Sequence, residues 1–304
     1  ARRRQLDQIQ MAEGIASGAY GPLTSVSEEI SAESSANLTR SVGEVVGIKF
    51  RDSDRHPTVT DYDILTTVVQ YIGANTVYLE DVTNPEYPSF TYAEYAALDA
   101  TFGNTSLPIL ENYIGPINDI NTLGIDDHGR LAIVITKGVN ATTSLGWVWG
   151  ADLLAAASGY YGNQMEVFFT HAPDPSGIYG SAKTASSVLS GFPSLMTHEV
   201  THILHNHADT YGGGANLNAW EMEGGATMME WVVGNQVLGH GGSDQNIGTT
   251  DFLEGYYADW YKNLYHDWVR MGGSGSSSSV APNECTWLSG SVTTSCDDWR
   301  SVYR

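Results

Sequence analysis

The chain has 304 residues and carries 14 Lys and Arg against 35 Asp and Glu, a net charge of −21. Its one basic cluster is Arg2-Arg3-Arg4, so the dense cations that phosphate backbones require are missing and nucleic acid is excluded as a partner. A hydrophobic content of 41% excludes wholesale disorder, and no apolar run reaches the roughly 18 residues of a membrane-crossing helix.

Charged residues make up only 16% of the chain, against roughly 25% in ordinary soluble domains. Ser, Thr, Asn, Gly and Tyr must therefore cover much of the surface, which suits a secreted or cell-envelope protein. The chain opens at Ala1 without Met, as expected after removal of a leader. A chain of this length buries roughly three quarters of its unfolded surface and needs no staples to hold a core. The two cysteines, Cys285 and Cys296, are spaced to close one local loop as a disulfide; free thiols are the plainer alternative.

Residues 1–44 form a polar, Ser-rich segment with a short helix expected near 5–15. A strand is expected over 45–50. Thr60 or Asp61 is placed to cap a helix over 62–72, with Gly73 as its stop. A second strand is expected over 76–80. Thr91 and Glu94 match a capping box, in which each side chain satisfies a backbone N–H of the other, so a helix should follow to about Phe102. Pro108 suits the first turn of another helix ending near Gly115. Residues 131–135, 145–149 and 164–170 read as further strands, after which the chain becomes mainly helical. Strands first and helices afterwards make an α+β pattern. Gly272 to Ser279 is a Gly/Ser run, so residues 272–280 are a flexible linker and 281–304 a short tail. The main body is then 45–271, sheet-rich over 45–192 and helical over 193–271.

Chemistry concentrates in His198-Glu199-Val200-Thr201-His202. Four residues advance a helix by about 400°, so the two imidazoles stack on one face and can share one tetrahedral Zn²⁺. Glu199 lies about 100° round the helix, placed to reach a water beside the metal. Zinc lowers that water's pKa and Glu199 takes the proton. The bland alternative is an amphipathic helix with satisfied histidines. Pro193 suits that helix's first turn.

A third ligand is needed, and a second helix starting at Asn218 supplies carboxylates. Glu223, 21 positions after His202, is the leading candidate. Glu221 is the fallback, although it also suits a helix start. Glu230, one heptad after Glu223, reads as a support for the ligands or as structural. Gly224 and Gly225 cost helix stability, about 1 kcal/mol each relative to Ala, which close approach to the histidine helix would offset. His205 and His207 read as helix-end residues, with His205 a remote alternative ligand.

These motifs, His198-Glu199-x-x-His202 followed by Glu223-Gly224-x-Ala226, resemble the gluzincin metallopeptidases, whose third ligand lies in an Asn-Glu-Gly-x-Ala-like helix. Met222 stands here where the Asn is common. The chain is most similar to the bacterial hyicolysin-type zinc metallopeptidases, through Tyr71-Ile72-Gly73, Val77-Tyr78-Leu79-Glu80-Asp81, the stretch from Gly124 to Arg130, and Glu166-Val167-Phe168-Phe169. The resemblance spans about residues 65–235. It implies a zincin-like fold with a mixed, twisted sheet on the helix carrying the motif. It also implies a secreted endopeptidase with one catalytic zinc, Glu199 as general base, and further helix beyond Arg304 in a longer precursor. The metzincin pattern wants Gly at 205 and His at 208, where this chain has His205 and Ala208.

Other roles stay open. A helix expected over 250–271 carries Tyr257, Tyr261 and His266, candidates to stabilise a developing oxyanion, though aromatics at helical spacing more often fill a core. The strand segment Gly146-Trp147-Val148-Trp149 is a candidate edge for pairing with an extended polypeptide substrate, or a buried strand with core tryptophans. Asp119, Asn121, Asp126 and Asp127 make an oxygen-rich turn that suits Ca²⁺, but they lack EF-hand spacing and a solvated turn is favoured. Asn37, Asn104 and Asn140 begin glycosylation sequons. The rival functions are a non-catalytic extracellular assembly protein on a peptidase-like fold, and a zinc hydrolase such as an aminopeptidase or epoxide hydrolase.

Overall fold

The structure is a computed structural model that describes residues 41–52, 55–56, 61–115, 130–142, 144–153, 162–163, 165–211 and 219–237. Six strands form one sheet: β1 (Val45–Phe50), β2 (Asp63–Ile72), β3 (Thr76–Asp81), β4 (Leu131–Ile135), β5 (Gly146–Trp147) and β6 (Val167–Thr170). Their order is β1-β2-β3-β4-β6-β5. β3, β4 and β6 run parallel. β1, β2 and β5 pair antiparallel with their neighbours. The helices are α1 (Tyr92–Thr101), α2 (Leu107–Tyr113), the single turn α3 (Lys137–Asn140), α4 (Ala185–Tyr211) and α5 (Ala219–Val237). The expected mixed α+β class holds.

β2 corrects the reading of 62–72 as a helix. Ile64, Thr66, Thr67, Val68, Val69 and Ile72 are β-branched, which a helix tolerates less well than a pleated surface. Pairing on both sides with β1 and β3 decides the matter. The pattern that looked helical has a local cause. Residues two apart on a strand share a face, yet Val69 and Tyr71 sit in opposite cores. A bulge between them shifts the register against β3 and turns Tyr71 to the other side.

The sheet separates two cores. On the helix side, Tyr71, Tyr78, Leu131, Ile133, Ile135 and Phe168 meet Tyr95 and Leu98 of α1 and Val188, Phe192, Met196 and Val200 of α4. On the opposite side, Ile48, Phe50, Val69, Leu79, Val134 and Phe169 pack with Trp147. Phe50 lies 5.2 Å from Trp147 and 5.4 Å from Phe169, centroid to centroid. β1 and β5 are opposite ends of the strand order, so the sheet curls until its two ends share a core. Asn163 ties the same seam: it accepts from Lys49 N at 2.9 Å and donates to Lys49 O at 2.8 Å. Its own backbone N–H and side-chain amide donate to Asp152 Oδ1 at 2.7 and 2.8 Å. Asp152 is fully buried, and burial raises its carboxyl to about 7 despite those donors.

The capping box at Thr91 and Glu94 is present and starts α1. α1 does not simply stop at Phe102: a π-helical turn, Phe102–Ser106, carries the chain straight into α2, with Pro108 in its first turn. The expected strand at 145–149 shortens to Gly146–Trp147, because the chain turns at Gly150–Leu153 into a 3-10 segment. The expected strand at 164–170 pairs only over Val167–Thr170. α4 begins at Ala185, eight residues before the expected Pro193 start. Thr184 Oγ1 accepts from Ser187 N at 3.1 Å and supplies the missing N-terminal partner. Pro193 therefore lies inside the helix. The residues of the 1–44 segment before 41, the oxygen-rich turn with Asp119, Asn121, Asp126 and Asp127, and everything after 237 lie outside the described residues. That includes Tyr257, Tyr261, His266, the linker, Cys285 and Cys296. Among the described residues, no helix is long and apolar enough to cross a membrane.

Candidate metal centre

α4 carries two stripes. Phe192, Met196 and Val200 recur every four residues and enter the helix-side core. Ser194, His198 and His202 recur with the same spacing, roughly 180° away round the helix at 100° per residue. The second stripe faces α5, where Glu223, Thr227 and Glu230 repeat at intervals of four and three. Met222, Ala226, Met229 and Val233 form the adjoining buried stripe of α5. One helix pair thus carries a polar stripe and an adjoining buried apolar stripe.

His198, His202 and Glu223 are all buried, and one ligand atom from each lies within 4.8 Å of the others. The two rings stand 4.7 Å apart at 80°. Glu223 Oε2 lies 3.4 Å from His198 Nε2 and 3.8 Å from His202 Nε2. A tetrahedral ion with bonds of about 2.0–2.1 Å holds its ligand atoms about 3.3–3.4 Å apart, and the two distances from Glu223 to the rings are near that value. Two imidazole nitrogens and one carboxylate oxygen gather in one buried place. The group could therefore hold a metal ion. Two imidazoles and a carboxylate make a nitrogen-oxygen donor set of intermediate softness.

Glu230 addresses the far side of His198. Its Oε1 lies 2.6 Å from His198 Nδ1. Its Oε2 accepts from Ser194 Oγ, one turn earlier on α4. Glu199 follows His198 on the helix and is completely buried. The glycines of α5 have a spatial reason at Gly225: a Cβ there would meet His205 Cε1 at 2.6 Å. His205 thus rests against α5 rather than joining the three-residue metal group. α4 runs on to Tyr211, so His205 and His207 are not its last residues. Burial lowers the pKa of His207. Of Glu221, only its backbone place in α5 is described.

β5 is the terminal strand and lies along α4. A Cβ on Gly146 would meet Phe169 O at 2.7 Å and Leu195 Cδ1 at 3.3 Å. Trp147 is buried against Phe50 and Phe169. Trp149 is buried with the Arg51 guanidinium over its ring at 5.2 Å. Val148 packs at the margin of the helix-side core. Both tryptophans are buried, as the core reading of this segment expects, and of the two Trp147 lies on β5. Asn140 is also buried, with its amide donating to Ala172 O at 2.8 Å, which hides that sequon's acceptor.

Sequence reasoning missed Ser194. Its signal was present: it precedes His198 by four residues, as His198 precedes His202. No protein-family model matches this chain, and a search of curated proteins finds no match.

Proposed function

We propose that this protein is a secreted zinc-dependent endopeptidase with a zincin-like fold. The observation that carries the reading is the convergence of His198, His202 and Glu223 on one buried point, with Glu199 on the same helical turn. The donor set suits zinc, with His198 and His202 supplying Nε2 and Glu223 supplying Oε2. When bound, zinc supplies the Lewis acidity that polarises a peptide carbonyl and makes water nucleophilic near neutral pH. Glu199 accepts the proton of the attacking water and returns it to the leaving amine. The substrate is an extended polypeptide.

Metal content and casein cleavage, measured together on the wild type and Glu199→Ala, test it. About one zinc per chain in both proteins, with cleavage only in the wild type, supports Glu199 as general base. Zinc in both and cleavage in neither refutes the peptidase reading and leaves a structural centre, as in a non-catalytic assembly protein. No zinc in the wild type refutes the centre itself.

A further inference from the structure

We propose that Glu230, held by Ser194, is the positioning residue of the metal centre: it fixes His198 as the Nδ1–H tautomer and points its Nε2 at the metal. The inference rests on the metal-centre reading and extends it to residues that contact no metal.

The geometry places the His198 ring between two carboxylates. Nδ1 is 2.6 Å from Glu230 Oε1, and Nε2 is 3.4 Å from Glu223 Oε2. A neutral imidazole has one donor nitrogen and one acceptor nitrogen, and an ionised carboxylate only accepts. The short contact is therefore the donated one, from Nδ1–H to Glu230. The lone pair is left on Nε2, facing the point where Glu223 and His202 also converge. A carboxylate behind a ligating imidazole both sets the tautomer and raises the basicity of the ligating nitrogen.

Glu230 is itself held. Ser194 Oγ donates to its second oxygen, so both carboxylate oxygens have partners, one turn apart on α4. The Glu230 side chain is only 17% exposed, which limits competition from water. Seven residues separate Glu223 from Glu230, two turns of α5 with a residual rotation of about 20°. The same rigid helix therefore presents the proposed ligand and the carboxylate that orients another ligand. Ser194, Glu230 and His198 form a clamp that holds the ring's rotation before metal arrives.

The test is the zinc dissociation constant, read by competition with a chromophoric chelator, for the wild type, Glu230→Ala, Glu230→Gln and Ser194→Ala. Circular dichroism melts of the metal-free proteins check folding. Glu230→Ala should bind zinc about 10- to 100-fold more weakly. Glu230→Gln should recover part of that loss, because its amide oxygen still accepts from Nδ1–H. Ser194→Ala should fall between the wild type and Glu230→Ala. Long-range ¹H–¹⁵N spectra of the zinc-loaded wild type should show His198 protonated at Nδ1, and Glu230→Ala should lose the single tautomer. A purely structural Glu230 would move the melts without moving these spectra. If Glu230→Ala does not fold, Glu230→Gln and Ser194→Ala carry the same comparison. A wild type that binds zinc, with Glu230 variants within about twofold of it, overturns the clamp and leaves the metal centre standing. A wild type that binds no zinc overturns both.

Discussion

Replacing Asp152 by Asn should make the protein more stable at alkaline pH and abolish most of one pH dependence. Asp152 is fully buried, and burial lifts its carboxyl from the usual aspartate value of 3.8 to about 7, opposed by the Asn163 donors and by Lys49. Below the unfolded value both states hold the proton, so the group adds no slope. Between the two values only the folded state keeps it, and stability falls by about 1.4 kcal/mol per pH unit. Above the folded value both states are ionised and the slope ends. The total is on the order of 4 kcal/mol, lost as pH rises from about 4 through 7. Asn keeps an oxygen to accept from Asn163 N and Nδ2, at 2.7 and 2.8 Å in the native site. Its NH₂ replaces Oδ2, which has no hydrogen-bond partner among the described residues. Urea unfolding of both proteins at pH 5, 6, 7 and 8 provides the assay. The variant should match the wild type near pH 5 to within about 1–2 kcal/mol, the usual cost of one altered buried hydrogen bond, and exceed it by pH 8. Parallel pH profiles, or a variant that is the less stable protein at pH 8, would refute the argument.

Thr227 Oγ1 is buried on α5 without a hydrogen-bond partner among the described residues. Thr227→Val removes the desolvated hydroxyl at nearly constant volume and should stabilise the protein by about 1 kcal/mol, read by urea titration; a loss of stability would show that the hydroxyl is satisfied. Metal ought to stabilise the native state by mass action, about 2.7 kcal/mol at a free concentration 100 times Kd. Chelation should then lower the Tm of the wild type and leave that of His202→Ala unchanged, and equal shifts in the two proteins would contradict binding at this centre.

Much of the frame is legible locally. The Thr91–Glu94 capping box works within four residues, so its bonds form as the sequence suggests. β1 and β4 are short runs rich in Val and Ile, which suit a buried pleated surface. The i,i+4 spacing of His198 and His202 puts both rings on one face of any regular helix, and α4 keeps that register. The early start of α4 escaped because its cap, Thr184, lies before a Ser-rich turn with little apolar periodicity. Pro193 looked like a boundary because proline usually marks one.

Other features depend on partners far away in the chain. The β2 segment can satisfy a helical pattern alone; only β1 and β3 on its flanks, and the bulge at Val69 and Tyr71, make it a strand. The raised Asp152 carboxyl comes from burial, which strips solvation from the charge in a segment tied to β1 through Asn163. The second carboxylate behind His198 is of the same kind. Glu230 and Ser194 are 36 positions apart, and their bond exists because α5 packs along α4. Spacing along one element is a covalent consequence of helix or strand geometry, so the order of residues already contains it. The meeting of two elements depends on which buried surfaces win against chain entropy, and that competition is settled only by the assembled core.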